Sequence, residues 1–130
     1  MDATHAARRR PAPPDAPLDL EAAAEDLLAE AHGLASGRSA RTLTPGNGVA
    51  LKQTLLALTA GQRLQDHVAP GPTTLVGVVG DAVLRHDAGD VPLVAGHWAP
   101  CPTEPHSVVA ETDTVLLITV VPQPRTDTND

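Results

Sequence analysis

Six histidines are the side chains of this chain with the most versatile chemistry. An imidazole titrates near neutral pH and can act as an acid, a base or a metal ligand. His5 lies in a proline-rich segment, His32 at the end of a helical pattern and His86 beside a turn. We expect these three on the surface, which leaves His67, His97 and His106 as candidates for a site.

The single cysteine, Cys101, lies between Pro100 and Pro102. One cysteine can form neither an internal disulfide nor a CxxC metal site. A reactive thiol usually has a basic or cationic group beside it, and no basic residue adjoins Cys101 in the sequence. We therefore expect a buried, unreactive thiol rather than a nucleophile.

Composition narrows the class of protein. The chain has 130 residues, of which 42% are hydrophobic and 19% charged, as expected for one small globular domain. Its net charge of −7 disfavours nucleic-acid binding, and no apolar run is long enough to span a membrane. One lysine and one isoleucine beside abundant Ala, Arg, Gly and Pro indicate a GC-rich, bacterial genome.

The two termini differ from the rest of the chain. Residues 1–17 contain three consecutive arginines followed by four prolines, which predicts a disordered arm. Because no apolar segment follows the arginines, an export signal is not expected and we predict a cytoplasmic protein. Residues 122–130 are polar and predict a frayed tail.

Residues 18–37 predict one amphipathic helix. Acidic residues occupy one face and an apolar stripe the other. Asp15 or Asp19 can cap its start, and Gly33 or Gly37 can end it. An isolated helix of this length is marginal in water, so it must pack on another surface. The stripe consists of Leu20, Ala23, Leu27, Leu28, Ala31 and Leu34.

Residues 38–121 predict an all-β domain. Short runs rich in Val, Leu and Thr alternate with Gly/Pro turns, a pattern typical of a barrel or jelly roll. We expect the apolar core between two antiparallel sheets to include Leu55, Leu58, Leu75, Val78, Val79, Leu116 and Ile118. The predicted strands are Val49–Leu58, Thr73–Val79, Ala82–His86, Val91–Ala95, Ser107–Val109 and Thr114–Val121.

Residues 40–121 resemble the cupin superfamily of small jelly-roll barrels. The first cupin motif, G-x5-H-x-H-x3,4-E-x6-G, is matched by Gly61, His67 and Gly80. The second, G-x5-P-x-G-x2-H-x3-N, is matched loosely by Gly96, Pro102 and an early His106. The resemblance implies a jelly-roll barrel with two antiparallel sheets, preceded here by the helix, as in a group of small bacterial cupins.

The family's metal-ligand positions fall on His67, Ala69, Thr73 and His106. Alanine cannot bind a metal and threonine is a poor ligand, so the motif is degenerate and leaves two imidazoles where a catalytic site usually has three protein ligands. The resemblance nonetheless places both imidazoles in the barrel interior, where we expect them to face each other. They then either bind a ligand or a divalent metal, or form a neutral structural pair.

Three further residues enter this expectation. His97 and Glu104 are possible replacements for a missing metal ligand. Trp98 is a possible ligand contact, although core or dimer packing is the alternative. The candidate ligand-binding residues are thus His67, His106, Thr73 and Trp98, and His67 and His106 are also the candidate metal ligands.

These observations favour a small cupin, non-enzymatic or weakly active, that holds a small-molecule ligand in its barrel without a cofactor. The alternative is a metal-dependent oxygenase or isomerase using His67 and His106 at an atypical metal site. A third possibility is an interaction module in which the helix contacts a partner. Because unpaired strand edges favour association, we also expect a homodimer.

Overall fold

A computed structural model describes residue 14 and residues 16–44, 50–67 and 71–122, with only the backbone for residues 65–67. Most of the predicted arm (1–17) and most of the predicted tail (122–130) lie outside the described residues. No helix of the described part is long and apolar enough to cross a membrane.

Helix α1 spans Leu20–His32. Asp19 caps its start, because its carboxylate accepts hydrogen bonds from the backbone N–H groups of Glu21 and Ala22. The helix ends at Gly33. Of the residues predicted to cap α1, Asp19 is the N-cap and Gly33 is the C-cap. Its buried face consists of Ala23, Ala24, Leu27 and Ala31.

The remaining elements are strands of two antiparallel sheets, which confirms the predicted jelly-roll architecture with one N-terminal helix. A five-stranded sheet has the order β1-β2-β9-β4-β7, and a four-stranded sheet the order β3-β8-β5-β6. The strands are β1 (Arg38–Thr42), β2 (Lys52–Leu58), β3 (Arg63–His67), β4 (Thr73–Val79), β5 (Asp81–His86), β6 (Gly89–Val94), β7 (Trp98–Pro100), β8 (His106–Ala110) and β9 (Thr114–Val120).

Three of these strands, β1, β3 and β7, were not predicted. The first two are mostly polar, and β7 has only three residues. None has the apolar run or alternation that marks a strand in a sequence. Each is an edge strand, so pairing with a neighbour in the folded chain, rather than its own pattern, makes it a strand.

Two separate apolar layers hold the domain together. Leu75, Leu84, Val108 and Leu116 fill the interior between the sheets. A second layer lies on the outer face of the five-stranded sheet, where α1 packs against Leu55 and its neighbours. Leu55, Val78 and Val79 belong to this outer layer. They were expected between the sheets. Leu55 faces the helix instead because successive residues of a strand face opposite sides. In β4 an irregularity between Gly77 and Val79 interrupts this alternation, so two consecutive valines pack against the outer layer.

Gly80 is required at the turn from β4 to β5. Its φ of +82° is a conformation that L side chains rarely adopt. A Cβ at this position would overlap the carbonyl oxygen of Asp113 in the β8–β9 turn. The motif glycine thus allows two turns to approach each other.

The barrel has two distinct ends. At the first end, strands β4 and β8 begin and strands β3 and β5 finish. Each of these four strands has a threonine or a histidine as its terminal residue there. We call this the histidine end. At the other, which we call the helix end, His32 Nε2 of α1 lies 2.6 Å from Asp113 Oδ2. The pKa of Asp113 is lowered by this hydrogen bond and by one from the backbone N–H of Ala60.

Candidate functional site

His106 is a buried polar residue at the histidine end. It begins β8 and is only 2% exposed. Val108 and Ala110, two and four residues further along the strand, are buried in the barrel interior. Because side chains alternate along a strand, His106 lies on the same inner face.

Two other histidines lie level with His106 on the neighbouring strands. In the four-stranded sheet His67 of β3 and His86 of β5 are both register partners of His106. The pairing of His67 depends on an irregularity in β3 between Leu64 and His67. Without that extra residue, Asp66 would lie opposite His106.

The register corrects one expectation. His67 and His106 lie on neighbouring strands of one sheet, not on opposite sides of the interior. The imidazole of His67 is outside the described part of the structure, so whether the two rings meet stays a prediction. From the side of the other sheet, the thiol of Cys101 reaches His106.

Glu104 and Cys101 both contact the ring of His106 and orient it. Nδ1 lies 3.0 Å from the carbonyl oxygen of Glu104, and Nε2 lies 3.0 Å from Sγ of Cys101. A carbonyl oxygen can only accept, so Nδ1 must carry the hydrogen of the neutral ring. Nε2 is then an acceptor, and the thiol of Cys101 donates to it. The arrangement leaves a basic nitrogen beside a thiol.

Cys101 is held in place from the five-stranded sheet. Its backbone N–H donates to the carbonyl oxygen of Thr73, 2.9 Å away. Its side chain packs against the interior cluster that contains Leu75 and Val108. Burial raises the pKa of the Cys101 thiol, so the sulfur rests as a neutral thiol.

The sequence argument for an isolated thiol is thus incomplete. No basic residue adjoins Cys101 in the chain, yet the fold places an imidazole nitrogen against it. The proline-rich loop of residues 101–105 turns back on itself and brings the first residue of β8 next to the residue after β7. The spacing Cys101-x4-His106 alone could not reveal the contact.

Glu104 brings a carboxylate to the same end. Its Oε2 lies 3.2 Å from Nδ1 of His86, whose side chain is 15% exposed against 45% for that of Glu104. His86 was expected on the surface but is largely covered, because it lies on the inner face of β5 with Leu84. Glu104 therefore contacts two histidines. Its backbone carbonyl accepts from His106, and its carboxylate lies against His86.

The remaining predicted residues divide between two places. Thr73 lies at the histidine end, at the start of β4 and next to Cys101. Trp98 is 62% exposed, whereas Ala99, the next residue of β7, is buried in the interior. Trp98 therefore projects from the outer face and does not reach a ligand between the sheets. His97 is exposed and lies before β7, at the other end of that strand from Cys101.

The described residues do not fit the metal that the cupin resemblance implies. Among the side chains that the structure describes, no three histidine, cysteine, aspartate or glutamate groups come close enough to hold one ion. Nε2 of His106 faces a thiol, and Nδ1 of His86 faces Glu104. Ala69, at one of the family's ligand positions, is outside the described part and has no ligating side chain.

Solved structures match this fold. A cupin superfamily protein from Desulfitobacterium hafniense has a TM-score of 0.65 at 17% identity, over 89% of this chain and 99% of that one. An RmlC-like cupin from Desulfovibrio desulfuricans has a TM-score of 0.54 at 26% identity, over 65% and 82%. A salicylate 1,2-dioxygenase from Pseudaminobacter salicylatoxidans has a TM-score of 0.68 at 21% identity, over 87% of this chain but only 37% of that one.

Sequence comparison adds no closer relationship, since neither a family model nor a curated protein matches the chain. The assignment therefore depends on the two antiparallel sheets, on their order, and on the structures that share them. On these grounds the chain belongs to the cupin superfamily.

Proposed function

We propose that this cupin binds a small organic molecule at the histidine end of its barrel, without a resident metal. The observation that carries the proposal is the buried imidazole of His106 at the edge of an apolar interior. A small-molecule site typically combines apolar walls with a few polar groups that fix the ligand's orientation.

The walls and the polar groups come from different strands. Leu75, Leu84 and Val108 supply the apolar walls. His106 and Thr73 supply polar groups at the same end, and the register places His67 beside His106. Such a set suits a neutral or anionic organic ligand that carries a hydroxyl group. Nε2 of His106 is a hydrogen-bond acceptor, and the Thr73 oxygen, whose hydrogen is donated to the carbonyl of Gly71, can accept a further hydrogen bond.

Salicylate is a suitable anionic probe, because one structurally similar protein is a salicylate dioxygenase. Salicylamide has the same ring and hydroxyl group without the carboxylate charge, and it serves as the neutral probe. A ligand that binds the folded state raises the melting temperature in a concentration-dependent, saturable manner.

The experiment compares both probes by thermal melting and calorimetry on metal-free wild-type protein, His106→Asn and His97→Asn. We expect saturable binding of at least one probe to the wild type and to His97→Asn, whose substitution lies away from the site. His106→Asn should bind it more weakly. If neither probe binds the wild type, or if His106→Asn binds as well as the wild type does, the proposal is wrong.

A metal-dependent cupin enzyme is the second candidate function. One observation favours it: His67 and His106, at two of the family's metal-ligand positions, are register partners on neighbouring strands. We place it second because the described side chains do not include a third ligand for the same ion.

A further inference from the structure

The contact between Cys101 and His106 supports more than reversible binding. Cys101 is the one thiol of the chain, and its Sγ lies 3.0 Å from an imidazole nitrogen that accepts a hydrogen bond. The backbone carbonyl of Glu104 fixes that tautomer, because it accepts the hydrogen of Nδ1. A thiol beside a positioned base is the arrangement that activates a sulfur nucleophile.

We propose that Cys101 and His106 act together as a nucleophilic pair that binds small α,β-unsaturated carbonyl compounds covalently. This inference deepens the proposed function and rests on it, since it places the ligand at the same end of the barrel. It names the ligand class as a soft carbon electrophile.

The step is an addition that needs no oxidant. The Cys101 proton moves to Nε2 of His106 as Sγ bonds to the β-carbon of the electrophile. The electron pair of the carbon–carbon double bond moves toward the carbonyl oxygen and gives an enolate. The proton on Nε2 then passes to the α-carbon, which restores the neutral imidazole and completes a thioether.

The surroundings of the pair agree with this chemistry. Sγ of Cys101 lies 3.0 Å from Nε2 of His106, so a base that can take the thiol proton is already in contact with it. His106 is buried and held by Glu104, so its basic nitrogen is positioned in advance. The apolar cluster against which Cys101 packs suits the carbon skeleton of an enone.

N-Ethylmaleimide, itself an α,β-unsaturated carbonyl compound, is the probe. The rate of its addition is measured at pH 7 by intact mass on the folded full-length protein and on the same protein unfolded in urea. With one cysteine in the chain, the adduct reports on Cys101, and Cys101→Ser gives the background. We expect the folded protein to react faster than the unfolded chain, in which no base is positioned beside the thiol.

Two variants test the role of the imidazole. In His106→Asn the side-chain amide can still donate to the carbonyl of Glu104, but no atom remains in the place of Nε2. We expect its alkylation rate to fall by about tenfold or more, with His97→Asn unchanged. If His106→Asn does not fold, the comparison of folded with unfolded wild-type protein decides the question.

Two results would overturn the inference: a folded protein that reacts no faster than the unfolded chain, and a folded His106→Asn that reacts as fast as the wild type. The first would identify Cys101 as a thiol that the fold does not activate, and the second would show that its reactivity does not depend on His106. Salicylate and salicylamide are not electrophiles, so their binding tests only the proposed function. Reversible binding without alkylation would therefore reject the covalent step alone.

Discussion

Each end of the barrel has a histidine–carboxylate pair, but the two pairs have different surroundings. At the helix end, the side chains of His32 and Asp113 are 57% and 40% exposed. At the histidine end, His86 is 15% exposed, and its partner Glu104 belongs to the loop that orients the buried His106. The same residue types thus attach a helix at one end and support a candidate site at the other.

The comparison shows that solvent decides what such a pair can do. Water screens the exposed pair, so its contribution to stability is small. Buried polar groups interact more strongly and cost more when a partner is lost. The candidate site therefore lies at the end of the barrel where the imidazoles are covered.

The largest expected loss of stability comes from disrupting the packing of helix α1. Leu27→Glu places a charge in the layer between α1 and the five-stranded sheet, where Leu27 is 6% exposed. We expect a loss of about 4 kcal/mol or more in the free energy of unfolding, measured by urea denaturation. The matched control is Leu34→Glu at a position 49% exposed, which should change stability by less than about 0.5 kcal/mol. Equal effects of the two would mean that the helix does not pack as described.

The next largest loss of stability is expected at the histidine end, and it can be compared directly with the loss at the helix end. His106→Ala leaves the Glu104 carbonyl and the Cys101 thiol without their imidazole contacts, and we expect a loss of about 1–3 kcal/mol. His32→Ala removes an exposed pair and should cost less than about 1 kcal/mol. Both are measured by urea denaturation, and a larger loss for His32→Ala would reverse the distinction between the ends.

A smaller effect is expected on how stability depends on acidic pH. The folded-state pKa of Asp113 is lowered by the hydrogen bonds from His32 and Ala60. A lowered carboxyl pKa adds stability above the pKa of the unfolded chain and loses it as the pH falls through the folded value. Asp113→Asn should therefore lower stability slightly at pH 6 and make unfolding less sensitive to acid below about pH 4. If the stability of the wild type and of Asp113→Asn depended on pH in the same way, the pair of His32 and Asp113 would contribute nothing to stability.

The smallest expected effect is that of zinc. With no third ligand beside His106 among the described side chains, zinc should bind only weakly, and His67→Ala should change its affinity little. Calorimetric titration of the metal-free protein measures both affinities. Sub-micromolar binding that disappears in His67→Ala would instead favour the metal-dependent enzyme.

Much of the fold follows from local patterns. The apolar stripe and its flanking Asp19 and Gly33 predicted α1, and apolar runs predicted the strands that pack on both faces. Strands β1, β3 and β7 could not be predicted in this way, because they lie at sheet edges and need little apolar surface of their own. For the candidate site, the structure brings the predicted Thr73 and His106 to one end of the barrel, and their binding of a ligand stays a prediction. His86 was expected on the surface and Cys101 in an inert environment.

The sequence by itself determined an all-β domain with one helix, a cupin-like spacing of glycines and histidines, and the loss of two of the family's metal ligands. These properties depend on residue identity and short-range order, which a sequence displays directly. Only the tertiary structure decided that Cys101 meets His106 and that His86 lies level with His106. Those contacts join different strands and, for Cys101, different sheets, and such proximity depends on strand register and on the path of a loop, which no local pattern records.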